Sequence, residues 1–231
     1  VTAPSKTGGT DGNPATFYDN DGGKIDATYK YSDKKVSTFS FSAGLNYKLA
    51  DNQAVYARLS QGSKAPDLDM FVNVNTAFGA ANLNPIAQKV EQIEIGYKLK
   101  TGATTLFLTP FLSVLSNVPQ QTLGQETADI TTTYNLPVLY NKFTTSGIEI
   151  EANHHFTNSF SLRAVATFQS STATEFKTWI VGNNGKADDK IQDFSGNETD
   201  NNASAIIRIS PTYASGNFFG SLDNCNSSCS K

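Results

Sequence analysis

A chain of 231 residues in which 38% are hydrophobic and 17% charged has room for one large β architecture or two small domains. Its formal charge of −3 supplies no basic field for phosphate backbones, which excludes nucleic acid as a partner. No stretch approaches the roughly 18 consecutive apolar residues of a spanning helix, so any membrane crossing has to be made by strands.

The first 20 residues, Val1 to Asn20, are polar and rich in glycine and proline, without the basic and apolar regions of a secretory signal. Residues 1–35 are read as a polar extracellular loop or lead-in. Asp19, Asp21 and Gly22 resemble part of a calcium loop, but Phe17 stands at the first ligand position and no glutamate closes the set, so no metal is expected there.

Regular patterning starts at Val36. Phe39, Phe41, Ala43, Leu45, Tyr47 and Leu49 alternate with Ser40, Ser42, Gly44, Asn46 and Lys48, and a period of two over this length predicts a strand with one apolar and one polar face. After a tight turn at Asp51-Asn52, Val55, Ala57 and Leu59 alternate with Tyr56, Arg58 and Ser60, completing a hairpin. A long loop follows, from about Gly62 to Gln88. Ile93, Ile95, Tyr97 and Leu99 then oppose Gln92, Glu94, Gly96 and Lys98. Beyond the turn at Thr101-Gly102, Leu106, Leu108, Pro110, Leu112 and Val114 carry the apolar face onward. Proline cannot donate to a ladder, so Pro110 predicts a bulge or bend.

A second long loop, about Ser116 to Asn135, leads to Ile148, Ile150 and Ala152 opposed by Gly147, Glu149 and Glu151. His154 to Ser159 turns the chain, and Phe160, Leu162, Ala164, Ala166 and Phe168 alternate with Ser161, Arg163, Val165, Thr167 and Gln169. A third long loop, about Thr174 to Asn201, carries Asp188, Asp189, Asp193, Glu198 and Asp200. Two weaker strands are expected near Ala203 to Tyr213 and Asn217 to Leu222, and Asp223 to Lys231 is read as an irregular tail.

The connections thus alternate short and long. Sorting of that kind is a property of outer-membrane barrels, with short periplasmic turns and long extracellular loops. Strands of about ten residues, at about 3.3 Å per residue and a tilt near 40 to 45°, span about 25 Å, the height of an outer-membrane apolar band. The expected architecture is therefore all-β: an antiparallel up-and-down transmembrane barrel segment over residues 36–222, about eight strands of a larger barrel. Lys48, Arg58, Glu94, Lys98, Glu149, Glu151 and Arg163 then face a wet lumen rather than a dry core, where so many charges would be costly. The plainer reading of the same alternation is the solvent face of an ordinary soluble sheet.

Three segments resemble the barrel of TonB-dependent outer-membrane receptors. The first is Tyr56-Ala57-Arg58-Leu59-Ser60-Gln61-Gly62-Ser63-Lys64-Ala65-Pro66. The second runs from Leu83, Asn84 and Pro85 to Glu91-Gln92-Ile93-Glu94-Ile95-Gly96-Tyr97-Lys98, and the third from Tyr140-Asn141-Lys142 to Ser146-Gly147-Ile148-Glu149-Ile150-Glu151. The resemblance implies a bacterial outer-membrane location and contact with outer-membrane lipid. It also implies import of a scarce ligand such as a ferric siderophore, haem, vitamin B12 or glycan, driven by the TonB complex through a plug domain. It implies no enzyme and no cofactor. The plug, the TonB-binding motif, the full set of about 22 strands and the usual terminal aromatic residue are not visible in this sequence, so the chain is read as an internal or truncated segment. The alternatives are a passive porin or structural barrel, and a soluble secreted β-sandwich or adhesin.

Sharper chemistry is sparse. His154-His155 sits in a short turn without a third ligand, which favours a turn role over a metal site. Cys225 and Cys229 have a spacing that permits a small local disulfide, or a pair of tail thiols, but lack partners for a tetrahedral metal. No catalytic constellation is found. Phe71, Phe78 and Trp179 lie in long loops as aromatics available to an incoming ligand, or to loop packing.

Overall fold

The computed structural model describes residues 30–31, 34–73, 85–125, 133–182, 188–200 and 202–229. In chain order its strands are β1 (Lys30–Tyr31), β2 (Phe41–Ala50), β3 (Gln53–Lys64), β4 (Val72–Asn73), β5 (Gln88–Thr101), β6 (Thr104–Gln120), β7 (Leu123–Gln125) and β8 (Thr133–Asn135), followed by β9 (Leu139–His155), β10 (Phe160–Glu175), β11 (Lys177–Ile180), β12 (Lys190–Asp193), β13 (Ala203–Ser215), β14 (Phe218–Ser221) and β15 (Asn224–Cys229). β2, β3, β5, β6, β9, β10 and β13 form an antiparallel meander in which each pairs with the next. β14 and β15 pair with successive parts of β13 and together act as its eighth member.

Register turns the sequence alternation into two chemically opposite faces, because residues directly across a ladder share a side of the sheet. One cross-strand row runs Tyr47, Val55, Tyr97, Leu108, Ile150, Ala166 and Ile207. The adjacent row, one residue along, runs Lys48, Ala54, Lys98, Phe107, Glu151, Val165 and Arg208. The apolar face is uncovered: Leu45 is 72% exposed and Ile95 57%. Among the described residues the buried hydrophobic side chains are Met70, Ala87, Leu136 and Ala173, all at or near the end where the long loops gather. A sandwich would bury the apolar face under a second sheet. A continuous exposed apolar band on one side, with charges on the other, is what a sheet needs to stand between lipid and water.

Short turns at Asp51-Asn52, Gly102-Ala103, Phe156–Ser159 and Gly216-Asn217 occupy one end. Gly102 and Gly216 adopt positive φ there, which side chains disfavour. The long connections lead off the other end, and their described parts carry more strand than the sequence suggests. β4 pairs with β1, β7 with β8, and β11 with β12, so each long loop contains a strand of a short ribbon. β6 and β9 also extend several residues into what reads as loop.

Two expectations require correction, and one open alternative narrows. Pro110 does not create a bulge: it remains paired with Ile148 and interrupts only the β5 ladder, which skips from Glu94–Phe111 to Tyr97–Leu108 without a change of register. The shift in β6 falls between Leu115 and Val118, where Asn117 adopts a φ of 58°. Asparagine tolerates that left-handed conformation, and its amide donates to the Ala87 carbonyl at 2.9 Å. The tail read as irregular is a strand from Asn224 to Cys229; Asn, Ser and Cys show no apolar alternation, but backbone pairing with β13 does not require one. Of the two readings open for Cys225 and Cys229, a disulfide or tail thiols, the extended strand disfavours the first, since four positions at about 3.3 Å per residue separate the two by about 13 Å. Cys225 is a free, exposed thiol.

Candidate functional site

The polar face carries ion pairs that bridge neighbouring strands. Arg58 on β3 lies 4.0 Å from Glu94 on β5, Arg163 on β10 donates to Glu151 on β9 at 2.9 Å, and Arg208 on β13 lies 3.2 Å from Asp223 before β15. Asp223 also accepts the Ser210 hydroxyl. Tyr56 reaches over β5 to Thr109 on β6, 2.8 Å away, and its ring lies 4.7 Å beneath the Lys98 ammonium. The tyrosine takes this path because Gly96, directly opposite on β5, has no side chain to obstruct it. Phe111 covers Gly147 in the same way.

At the loop end, buried polar contacts lock separate connections together. Pro85 is fully buried, and the next residue, Ile86, donates its N–H to the Tyr140 hydroxyl at 3.2 Å. Burial raises the hydroxyl-to-backbone stakes here, since an amide left unpaired away from water is costly. Asn141, only 3% exposed, donates to Gln120 at 2.9 Å and accepts the Lys177 N–H at 2.9 Å, while Gln120 donates to Thr178 at 2.7 Å. One buried amide therefore ties β6, β9 and β11.

Beside this hub is a cleft of about 620 Å³ floored by Phe143, Ala173, Phe176 and Phe194 and rimmed by Asn197, Glu198, Thr199 and Asp200. The Phe176 ring sits 6.0 Å from Phe143 and 6.3 Å from Phe194, tilted 49° to each. The rim is not a loose loop. The chain leaving β12 returns along β10, with Gly196 N–H donating to Ala173 O at 2.8 Å, Ala173 N–H to Asn197 O at 2.9 Å and Thr199 N–H to Ser171 O at 3.0 Å. Phe194 N–H donates to Phe176 O at 2.7 Å, and Phe176 N–H to Ser195 Oγ at 2.9 Å. Just upstream, the Asp193 carboxyl is held below the usual carboxylate range by the Ser195 hydroxyl and N–H, helped by the charge of Lys177.

Of the loop aromatics singled out from sequence, Phe71 ends a 3-10 turn, Leu68–Phe71, and is half-buried. Trp179 lies on β11 and donates its indole N–H to Pro137 O at 3.0 Å, joining the second loop to the third. Phe78 and the Asp19–Gly22 segment lie outside the described residues. His154 contacts Thr104 through Nδ1 at 2.8 Å and meets the Phe156 ring edge-on at 4.4 Å, which are turn-packing contacts. Sequence reasoning passed over the cleft phenylalanines: Phe143 departs from the apolar parity of β9, and Phe176 and Phe194 are isolated in polar surroundings. A break in parity at a strand's loop end is the signal that was available.

A family model described as TonB-dependent receptor-like β-barrel matches residues 6–224. Among solved structures, the copper transporter OprC is similar at 14% identity with a TM-score of 0.50, over 77% of this chain and 25% of that one. FpvAI in complex with pyocin S2 is similar at 17% identity with a TM-score of 0.52, over 79% and 22%. The alcaligin outer-membrane receptor FauA from Bordetella pertussis gives 18% identity and a TM-score of 0.48, over 80% and 29%. The chain spans about a quarter of the length of the first two, and their likeness concerns the fold. No curated protein matches the sequence.

Proposed function

Because the chain belongs to the TonB-dependent receptor-like β-barrel family, we propose that it forms one arc of a receptor wall through which a scarce small ligand is imported. Members of this family reside in the bacterial outer membrane and are transporters rather than enzymes. In this reading the ligand is a chelate or other small molecule, of the range that includes ferric siderophores, haem, vitamin B12 and glycans. It is captured at the long loops and released inward when the TonB complex acts on a plug domain lying against the polar face. Phe71, Phe78 and Trp179 are assigned to the capturing loops.

The observation that carries the proposal is the pairing of two asymmetries. An uncovered apolar face opposes a face of bridged charges, and long connections whose described parts carry paired ribbons oppose tight turns. A passive wall has no need of the locked loop platform around Asn141, since function on a rigid scaffold concentrates in positioned loops. The test compares cells carrying the full-length receptor with cells lacking it, each with and without functional TonB, and measures accumulated small molecules by mass spectrometry. A defined set of compounds that requires both components is expected. Accumulation that ignores TonB points instead to a passive porin, and no receptor-dependent accumulation overturns the proposal.

A further inference from the structure

The cleft at the end of β9 and β10 has a composition that selects a ligand class. Three phenylalanines supply its floor, and the two charged side chains on its rim, Glu198 and Asp200, are both acidic. Neither carboxylate forms an ion pair among the described residues. The nearby cations face other carboxylates: Lys142 lies 4.0 Å from Glu175, and Lys177 is in register with Asp193 across the β11–β12 ribbon, where its charge acts on that carboxyl. An aromatic face attracts positive charge through its quadrupole, and exposed carboxylates attract it directly. A carboxylate or phosphate entering the same space would meet two like charges with no lining cation to offset them.

We propose that this cleft binds a small organic cation, with a quaternary ammonium or similarly apolar-coated cationic group resting on Phe143, Phe176 and Phe194 and facing Glu198 and Asp200. The assignment rests on the receptor reading of the loops and names the substrate class for it. A volume of about 620 Å³ falls within the ordinary range of small-molecule sites. The site is also built before the ligand arrives. Hydrogen bonds from Gly196, Ala173 and Thr199 fix the rim to β10, and the bond from Phe194 N–H to Phe176 O fixes two rings of the floor. Binding to a rigid cleft avoids much of the ordering cost that a mobile loop incurs. The compound must couple charge with apolar bulk: a metal ion keeps its hydration shell and gains little from the phenyl floor, and a neutral hydrocarbon gains nothing from the rim.

The test titrates purified full-length receptor in detergent with choline and with its neutral isostere 3,3-dimethylbutan-1-ol, read by calorimetry. Choline is expected to bind about tenfold more tightly than the isostere, the size of one moderately desolvated cation–π and carboxylate pairing. Glu198→Gln combined with Asp200→Asn, both exposed and with no side-chain ion pair among the described residues, keeps the backbone bridge of Glu198 to Thr172 and should remove that preference while leaving the isostere unchanged. Phe176→Ala should weaken both probes. Equal affinity in the unmodified receptor, or a choline preference that survives the double substitution, overturns the assignment. TonB-dependent accumulation is measured in the same strains, so the two readings separate. If it persists while choline shows no preference, the cation assignment fails and the receptor stands; if it is absent while choline binds as expected, the receptor reading fails.

Discussion

Gly96 and Gly147 show how single residues shape the polar wall. Both lie opposite an aromatic residue on the neighbouring strand, Tyr56 and Phe111 respectively, and in both pairs the ring occupies the space over the glycine. What differs is how much can yield. The three atoms nearest to a Cβ at Gly96 all belong to the Tyr56 ring, whereas at Gly147 the nearest is the backbone carbonyl of Phe168. A ring swings aside more readily than a ladder shifts. Gly147→Ala is therefore expected to destabilise the fold by about 1–3 kcal/mol through overpacking, and Gly96→Ala by less. Urea unfolding of the receptor in lipid vesicles measures the order, and a larger loss at Gly96 refutes it. Tyr56→Phe removes the contact with Thr109 and is expected to cost about 0.5–1.5 kcal/mol in the same assay. Period-two alternation puts both glycines on the polar face and says nothing of what stands over them. The filling ring comes from a neighbouring strand, and only register reveals which one.

At the scale of the strand, faces were legible and partnerships less so. Period-two alternation is a local property, so the apolar set from Phe41 to Ile150 could be read directly. It predicts that cysteines replacing Leu45, Ile93, Ile95 and Ile148 resist water-soluble maleimide in intact membranes, while those replacing Lys48, Glu94, Lys98 and Glu149 react. The opposite pattern would invert the sheet. Pro110 marks the limit of local reasoning. Its missing N–H predicts a bulge or bend, but a gap confined to one ladder lets β6 pass without a bulge at that position. Pro110→Val restores a donor toward β5 and is expected to slow amide exchange near Ile95 and Gly96. Unchanged exchange there would mean that something other than the absent donor opens the ladder. β15 was illegible for the reverse reason: an edge strand held by backbone pairing has no need of a side-chain pattern.

Across the whole molecule, the alternation of short and long connections was visible in sequence because turn residues and strand periods are both local. The ribbons and the aromatic cleft were hidden, since Phe143, Phe176 and Phe194 meet only after β10 and β12 have folded back. Deleting the long loops one at a time from the full-length receptor should reduce ligand capture by cells at normal surface expression, with the largest loss expected for the loop carrying Phe194, Glu198 and Asp200. Undiminished capture in all three deletions would move recognition to the plug or to strands elsewhere in the barrel. Expressed alone, the 231-residue chain is expected to show no energy-dependent uptake. β2 and the β14–β15 pair are the two margins of its sheet, and unpaired margins invite association rather than a closed pore.

The bridged charges on the polar face carry one further implication. Arg58 with Glu94, Arg163 with Glu151 and Arg208 with Asp223 each cancel within the wall itself, one rung at a time. Around these three pairs the charge is balanced locally and the field weakens quickly, while Lys98 and Glu149 on the same face belong to none of them. Whatever moves along the paired stretch meets a wet, electrically balanced bearing rather than a row of hooks. Glu151→Gln would remove the nearest partner of Arg163, leaving it the weaker attraction of Glu149 and Asp223, and would add a catch to the bearing, felt most strongly by an acidic passenger and relieved by salt.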